Sequence, residues 1–127
     1  MKLQELEKKY EELGKEIEKL KAQNYKTRIE LPKVANGLDI LFADKQMSWE
    51  EAKSWCEAQG GRLPTKIELQ LIAASKQVPE DRRRFYYWSS DEASDWTGFA
   101  WNVNLNYGDT YYVDKTFTNA VLCVAGP

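Results

Sequence analysis

The sequence is poorest in the residues that most enzymes use for chemistry. Its 127 residues contain no histidine and only two cysteines. Without an imidazole, a Ser-His-Asp triad, a Cys-His dyad and a histidine-based zinc site are all excluded. We therefore expect a protein that is not an enzyme and that uses no cofactor and no metal ion.

Long apolar runs and an excess of charge of one sign are missing as well. No stretch approaches the roughly 20 apolar residues that are needed to cross a bilayer, and the charged N-terminus does not resemble a signal peptide. The 18 basic residues are balanced by 20 acidic ones, for a formal net charge of −2. A general nucleic-acid binder would carry a basic field instead. We expect neither nucleic acid nor membrane insertion.

A heptad pattern at the N-terminus is the clearest signal that the sequence does contain. Its seam positions recur at spacings of three and four, and they are Leu3, Leu6, Tyr10, Leu13, Ile17, Leu20 and Asn24. This a/d spacing is typical of a coiled coil. In a parallel pairing, Lys2 would face Glu7 and Glu16 would face Lys21, with opposite charges in both pairs. The pattern predicts a parallel coiled-coil oligomerisation stalk over residues 1–26.

The number of strands in this coiled coil is less clear than its presence. A helix with so narrow an apolar stripe is marginal alone in water, so it needs partners. Ile17 with Leu20, and a buried Asn24, suit a dimer, whereas the bulk of Tyr10 favours a wider bundle. The alternative is that the helix folds back onto its own domain.

Residues 27–127 are predicted to form one α+β head domain. Two helices are expected at 49–58 and from 66 to about 76, each preceded by a Ser/Thr-x-x-Glu capping box. The remaining elements are strands, predicted at 27–31, 38–43, from 86, at 99–107, from 110 to about 115, and at 120–124. Strands and helices that are segregated along the chain in this way are typical of the α+β class.

One predicted strand carries the candidate recognition residues. Between Phe99 and Tyr107, aromatic and aliphatic residues alternate with polar ones, so one face is expected in the core and asparagines are expected on the other. That polar face is either an ordinary solvated surface or a binding site. Amides offer paired donors and acceptors, and tyrosine adds contact area at low entropic cost. The candidate ligand-binding residues are Asp95, Trp96, Asn102, Asn104, Asn106, Tyr111 and Tyr112.

Several motifs between residues 36 and 126 resemble the Lcl-type C-terminal domain family. They read WEEAKSWC (49–56), GGRLPTKIEL (60–69), YYWSSDE (86–92), AWNVNLNYG (100–108) and VLCV (121–124). The resemblance implies a C-type-lectin-like fold and an occurrence in bacterial and phage surface proteins. Taken alone, Cys56 and Cys123 could be a disulfide or two buried thiols; the resemblance implies that they pair.

The resemblance does not extend to calcium-dependent sugar binding. Lectins of this fold that bind calcium carry a Glu-Pro-Asn or Gln-Pro-Asp loop and a Trp-Asn-Asp strand. Here Trp101 and Asn102 are followed by Val103, and no such proline loop is present. No calcium site is expected.

The functional expectation combines the stalk with the family. We expect a phage tail-fibre-like receptor-binding protein, or adhesin, and the tail-fibre resemblance favours a trimer. Its head would recognise a bacterial cell-surface glycan or outer-membrane protein, and it would be located in a virion tail fibre or at the cell surface. The alternative is a structural or assembly protein whose coiled coil is the working part and whose head is a cap.

Overall fold

A computed structural model describes residues 24–31 and 34–125 of the chain. Residues 1–23 of the predicted stalk, with the seam residues from Leu3 to Leu20, lie outside these ranges, and the last two residues of the predicted stalk, Tyr25 and Lys26, begin the first strand. The seam residue Asn24 is described, and it directly precedes the first strand, which begins at Tyr25. The side-chain oxygen of Asn24 accepts a hydrogen bond from the backbone N–H of Asp44 at 2.9 Å. Asn24 is thereby attached to the head.

The head is an α+β domain with two small antiparallel sheets and a few helices, which confirms the predicted α+β class. In chain order its elements are β1 (Tyr25–Leu31), β2 (Val34–Phe42), α1 (Trp49–Ala58), α2 (Lys66–Ser75), α3 (Glu80–Arg83), β3 (Tyr86–Glu92), β4 (Phe99–Asn104), β5 (Thr110–Asp114) and β6 (Leu122–Ala125). Sheet 1 has the strand order β1-β2-β6 and sheet 2 has the order β3-β4-β5. None of the helices in the described ranges is long and apolar enough to cross a membrane.

The two longer helices begin where their capping boxes predicted. At α1, the backbone N–H of Ser48 donates to the carboxylate of Glu51 at 3.2 Å. At α2, the Thr65 hydroxyl accepts from the backbone N–H of Glu68, whose carboxylate accepts from the Thr65 N–H. These side chains satisfy backbone donors that the first turn of a helix leaves unpaired. Helix α2 ends at Ser75 and is capped by Lys76, which adopts a left-handed conformation with φ of 59°.

Two hydrophobic cores hold the elements together. The first lies between sheet 1 and α2, and the second lies under α1. Cys56 of α1 and Cys123 of β6 form a disulfide with a Cα–Cα distance of 5.4 Å. Residues of β4 contribute to both cores, since Val103 belongs to the first and Ala100 to the second. Sheet 2 is therefore covered on both faces along much of its central strand.

Candidate recognition surface

The asparagines of β4 are not the exposed row that the sequence predicted. Asn102 is 3% exposed and Asn104 is 7% exposed. The expectation of an exposed face is wrong at these two positions because β4 is the middle strand of a sheet with a core on each side. The amide nitrogen of Asn102 donates to the side-chain oxygen of Asn119 at 3.0 Å, so this amide is engaged within the head.

Asn104 organises the connection that follows β4. Its side-chain oxygen accepts from the backbone N–H groups of Asn106 and Tyr107, at 2.9 and 3.2 Å. Asparagine favours turns through such local bonds. The strand, predicted to continue to Tyr107, therefore ends at Asn104, and a loop of residues 105–109 replaces the two-residue connection that the predicted strands 99–107 and 110–115 left between them. Gly108 closes this loop with a positive φ of 79°. Asn106 remains half-buried, and Tyr107 is exposed.

Four aromatic rings form a continuous surface on the face of the β4–β5 pair that is opposite Asn102 and Asn104. The rings of Trp96 and Phe99 lie 5.9 Å apart, those of Phe99 and Tyr112 lie 6.2 Å apart, and those of Tyr112 and Trp101 lie 5.0 Å apart. Trp96 is 55% exposed and Tyr112 is 42% exposed, while Phe99 and Trp101 are half-buried. We call Trp96, Phe99, Trp101 and Tyr112 the aromatic surface.

Strand register explains why these rings meet. Trp101 pairs with Tyr112, so the two side chains leave the sheet on the same face. Strand β5 is the last strand of its sheet, which leaves Tyr112 with a strand neighbour on one side only. Phe99 and Trp101 were predicted to face the core, and both are instead partly open to solvent. This pairing depends on the five-residue loop 105–109, and the shorter turn expected from the sequence would have paired Trp101 with a different residue.

A charged group contacts this surface, and another neighbours it in the sequence. The ammonium of Lys66, the first residue of α2, is 4.0 Å from the centre of the Trp101 ring, which is a cation–π contact. The backbone N–H of Lys66 donates to the carboxylate of Asp91 at 2.6 Å, which fixes the start of the helix. Asp95 precedes Trp96 and is exposed. The surface therefore combines apolar faces with the ammonium of Lys66, and Asp95 supplies an exposed carboxylate next to Trp96 in the chain.

Tyr111 lies on the opposite side of the sheet from Tyr112. It pairs with Asn102 and is 56% exposed, and its ring is 5.5 Å from that of Tyr86. Partial desolvation, with a smaller contribution from the neighbouring Tyr111, raises the pKa of Tyr86. Of the predicted residues, Trp96 and Tyr112 each contact Phe99 within the aromatic surface, and Asp95 directly precedes Trp96 in the chain, whereas Tyr111 lies on the opposite face.

Within residues 24–31 and 34–125, no three histidine, cysteine or carboxylate side chains are grouped as a metal site would require. The model of a known protein family, the Lcl C-terminal domain, matches residues 18–125. The match covers both described sheets and the helices α1, α2 and α3, and it begins inside the predicted stalk. No curated protein matches the sequence.

Proposed function

Since this chain belongs to the Lcl C-terminal domain family, which suggests a surface or adhesin-like protein, we propose that it is a receptor-binding adhesin. In this proposal a parallel coiled coil formed by residues that precede β1 joins three copies, as in a phage tail fibre. Each head, of C-type-lectin-like fold, recognises a bacterial cell-surface glycan or outer-membrane protein. The protein acts without a cofactor and catalyses no reaction, and it works on a virion or at a cell surface.

The aromatic surface is the observation that carries this proposal. Large exposed rings such as Trp96 and Tyr112 add interface area while few rotatable bonds are immobilised. Tryptophan and tyrosine are also enriched among the residues that dominate binding energy. Asp95 and Lys66 can orient a polar ligand over these rings through hydrogen bonds. A single head with four rings and two charges would bind weakly, and three heads on one stalk would gain through effective concentration.

The disulfide supports a location outside the cytoplasm. Disulfides persist in oxidising compartments and are rare where glutathione and thioredoxin keep thiols reduced. The Cys56–Cys123 bond is buried, with both residues no more than 3% exposed. This agrees with a protein that works on a virion or at a cell surface.

Binding of the full chain to fixed bacterial cells tests the proposed surface. We expect the double variant Trp96→Ala, Tyr112→Ala to lose at least tenfold in apparent affinity across a panel of Gram-negative strains. Tyr107→Ala is the matched control, because Tyr107 is 79% exposed and lies in the loop 105–109, outside the aromatic surface. Equal binding by the double variant and the parent chain would show that the surface is not the recognition site.

Treatment of the cells separates the two receptor classes. Periodate destroys sugars with vicinal hydroxyls, whereas a protease removes exposed protein. Loss of binding after periodate alone would identify a glycan, and loss after protease alone would identify an outer-membrane protein. If neither the parent chain nor Tyr107→Ala binds any strain, the receptor-binding proposal fails.

Molecular mass by light scattering tests the trimer and the alternative function. The full chain should have a solution mass three times that of one chain. The double variant Leu13→Ser, Ile17→Ser should have the mass of a single chain. A monomeric full chain would contradict the stalk. The alternative, an assembly protein with the head as a cap, predicts loss of function from this heptad double variant and no effect of Trp96→Ala, Tyr112→Ala.

A further inference from the structure

A groove beside the disulfide lies on the face of sheet 1 that is opposite the first core. Strand register puts Lys26, Leu41 and Cys123 side by side on this face. The groove has a volume of about 400 Å³, and its lining includes Lys26, Asp39, Leu41, Gln59, Cys123 and Ala125. The disulfide holds the α1 side of this groove in place.

The floor of the groove is apolar and only partly covered. Leu41 is half-buried in the middle strand, and Ala125 at the end of β6 is exposed. Gln59 and Gly61, just after α1, line the wall on the β6 side, and Lys26 lies on the β1 side. An aliphatic side chain would therefore find apolar contacts on the floor and polar groups at the rim.

The chain itself enters the head next to this groove. Asn24 is fixed to Asp44, and Lys26, two residues later, lines the groove. At about 3.3 Å per residue, residue 23 joins the head within about 10 Å of Lys26. The six residues 18–23 (EKLKAQ) contain one large apolar side chain, Leu20, between charged residues.

The family match includes these six residues together with the head. It begins at residue 18, seven residues before β1, and it ends at Ala125, which lines the same groove. If the stalk ran to residue 26, as predicted from the sequence, residues 18–26 of the family match would lie in the stalk and not in the head.

We propose that residues 18–23 dock in this groove, with Leu20 against Leu41. The coiled-coil seam then ends at Ile17, and the heads are held to the stalk by a packed contact instead of a free linker. The proposal goes beyond receptor recognition, since it concerns how the head is oriented and needs no ligand.

Hydrogen exchange of the full chain, read by mass spectrometry on peptides that cover residues 18–23, tests the docking. Leu41→Lys should make this segment exchange at least tenfold faster, and Leu20→Ser should do the same while the light-scattering mass stays that of the parent chain. Ile67→Lys is the matched control, because Ile67 is an aliphatic residue that is 67% exposed on α2, away from the groove. This control should leave the segment unchanged.

A second groove variant distinguishes loss of docking from unfolding of the sheet. If Leu41→Lys also speeds exchange in β2, Ala125→Glu at the exposed end of β6 replaces it, with the same expected result. Unchanged exchange of residues 18–23 in the groove variants, or dissociation of the oligomer by Leu20→Ser, would overturn the proposal. A monomeric parent chain would count against the trimer but would leave the exchange test of the groove intact.

Discussion

The two sheets of the head place neighbouring residues in different ways. In sheet 1, the strand β1 alternates as a one-sided sheet should: Ile29 and Leu31 are buried, and Arg28 and Glu30 are exposed. In sheet 2, the three consecutive residues from Asn102 to Asn104 are all buried. Alternation identifies the inner face only where one face of the sheet meets solvent. A central strand between two cores buries its polar residues too. The amide nitrogen of Asn102 then bonds to Asn119, while its side-chain oxygen has no hydrogen-bond partner among the described residues.

The largest expected effect concerns the bond that ties α1 to sheet 1. Replacing Cys56 and Cys123 by alanine opens a link between positions 67 residues apart. The chain-entropy relation for a loop of this size gives a loss of about 4 kcal/mol in the free energy of unfolding. Denaturant unfolding of the double variant and of the parent chain would measure it. A loss below about 1 kcal/mol would mean that the cores hold α1 in place without the disulfide.

Two neighbouring residues in β1 test whether sheet 1 has one buried and one exposed face. Ile29→Ala empties a fully buried position in the first core, and we expect it to cost about 3 kcal/mol in the free energy of unfolding. Arg28→Ala should cost much less, because its ion pairs with Glu30 and Asp39 are open to water. Thermal or urea unfolding of both variants measures these changes. Similar losses of unfolding free energy for the two variants would contradict the alternation of buried and exposed residues in β1.

The matching test in sheet 2 compares two asparagines. Asn104→Ala removes an acceptor for two backbone N–H groups, so the free energy of unfolding should fall by about 2 kcal/mol. Asn106→Ala, at a half-buried loop position, should stay within about 0.5 kcal/mol of the parent chain. If Asn104→Ala unfolds like the parent chain, its hydrogen bonds do not hold the loop.

A smaller, pH-dependent effect is expected at the start of α2. A bidentate ion pair with Arg62, at 2.7 and 2.8 Å, holds the pKa of Glu68 below its ordinary range. The stability from this pair is therefore complete above the pKa of the unfolded chain and is lost as the pH falls through the lower folded-state pKa. Glu68→Gln should cost less than about 1 kcal/mol at pH 7, because water screens the half-exposed Arg62.

The measurement is the difference in free energy of unfolding between Glu68→Gln and the parent chain at a series of pH values. This difference should shrink towards zero at the acid end. Glu57→Gln, at an exposed position on α1, is the control. A difference that stays constant with pH would mean that the variant acts through the capping geometry and not through the charge.

Local signals in the sequence were enough to predict the helices, while the candidate site needed the tertiary structure. The capping boxes at Ser48 and Thr65 fix helix starts within a few residues of chain, so α1 and α2 were found with nearly correct bounds. The burial of Asn102 and Asn104 depends on a second core that packs from far along the chain. The exposure of Trp101 depends likewise on β5 being an edge strand, which no local pattern encodes.

One comparison tests most directly the claim that sheet 2 uses its asparagines for structure and its aromatic surface for recognition. Asn104→Ala and Trp96→Ala would each be measured for unfolding free energy and for binding to bacterial cells. We predict that Asn104→Ala lowers stability and, while folded, binds like the parent chain, whereas Trp96→Ala weakens binding and leaves stability within about 0.5 kcal/mol. Weaker binding by folded Asn104→Ala, together with full binding by Trp96→Ala, would contradict the account.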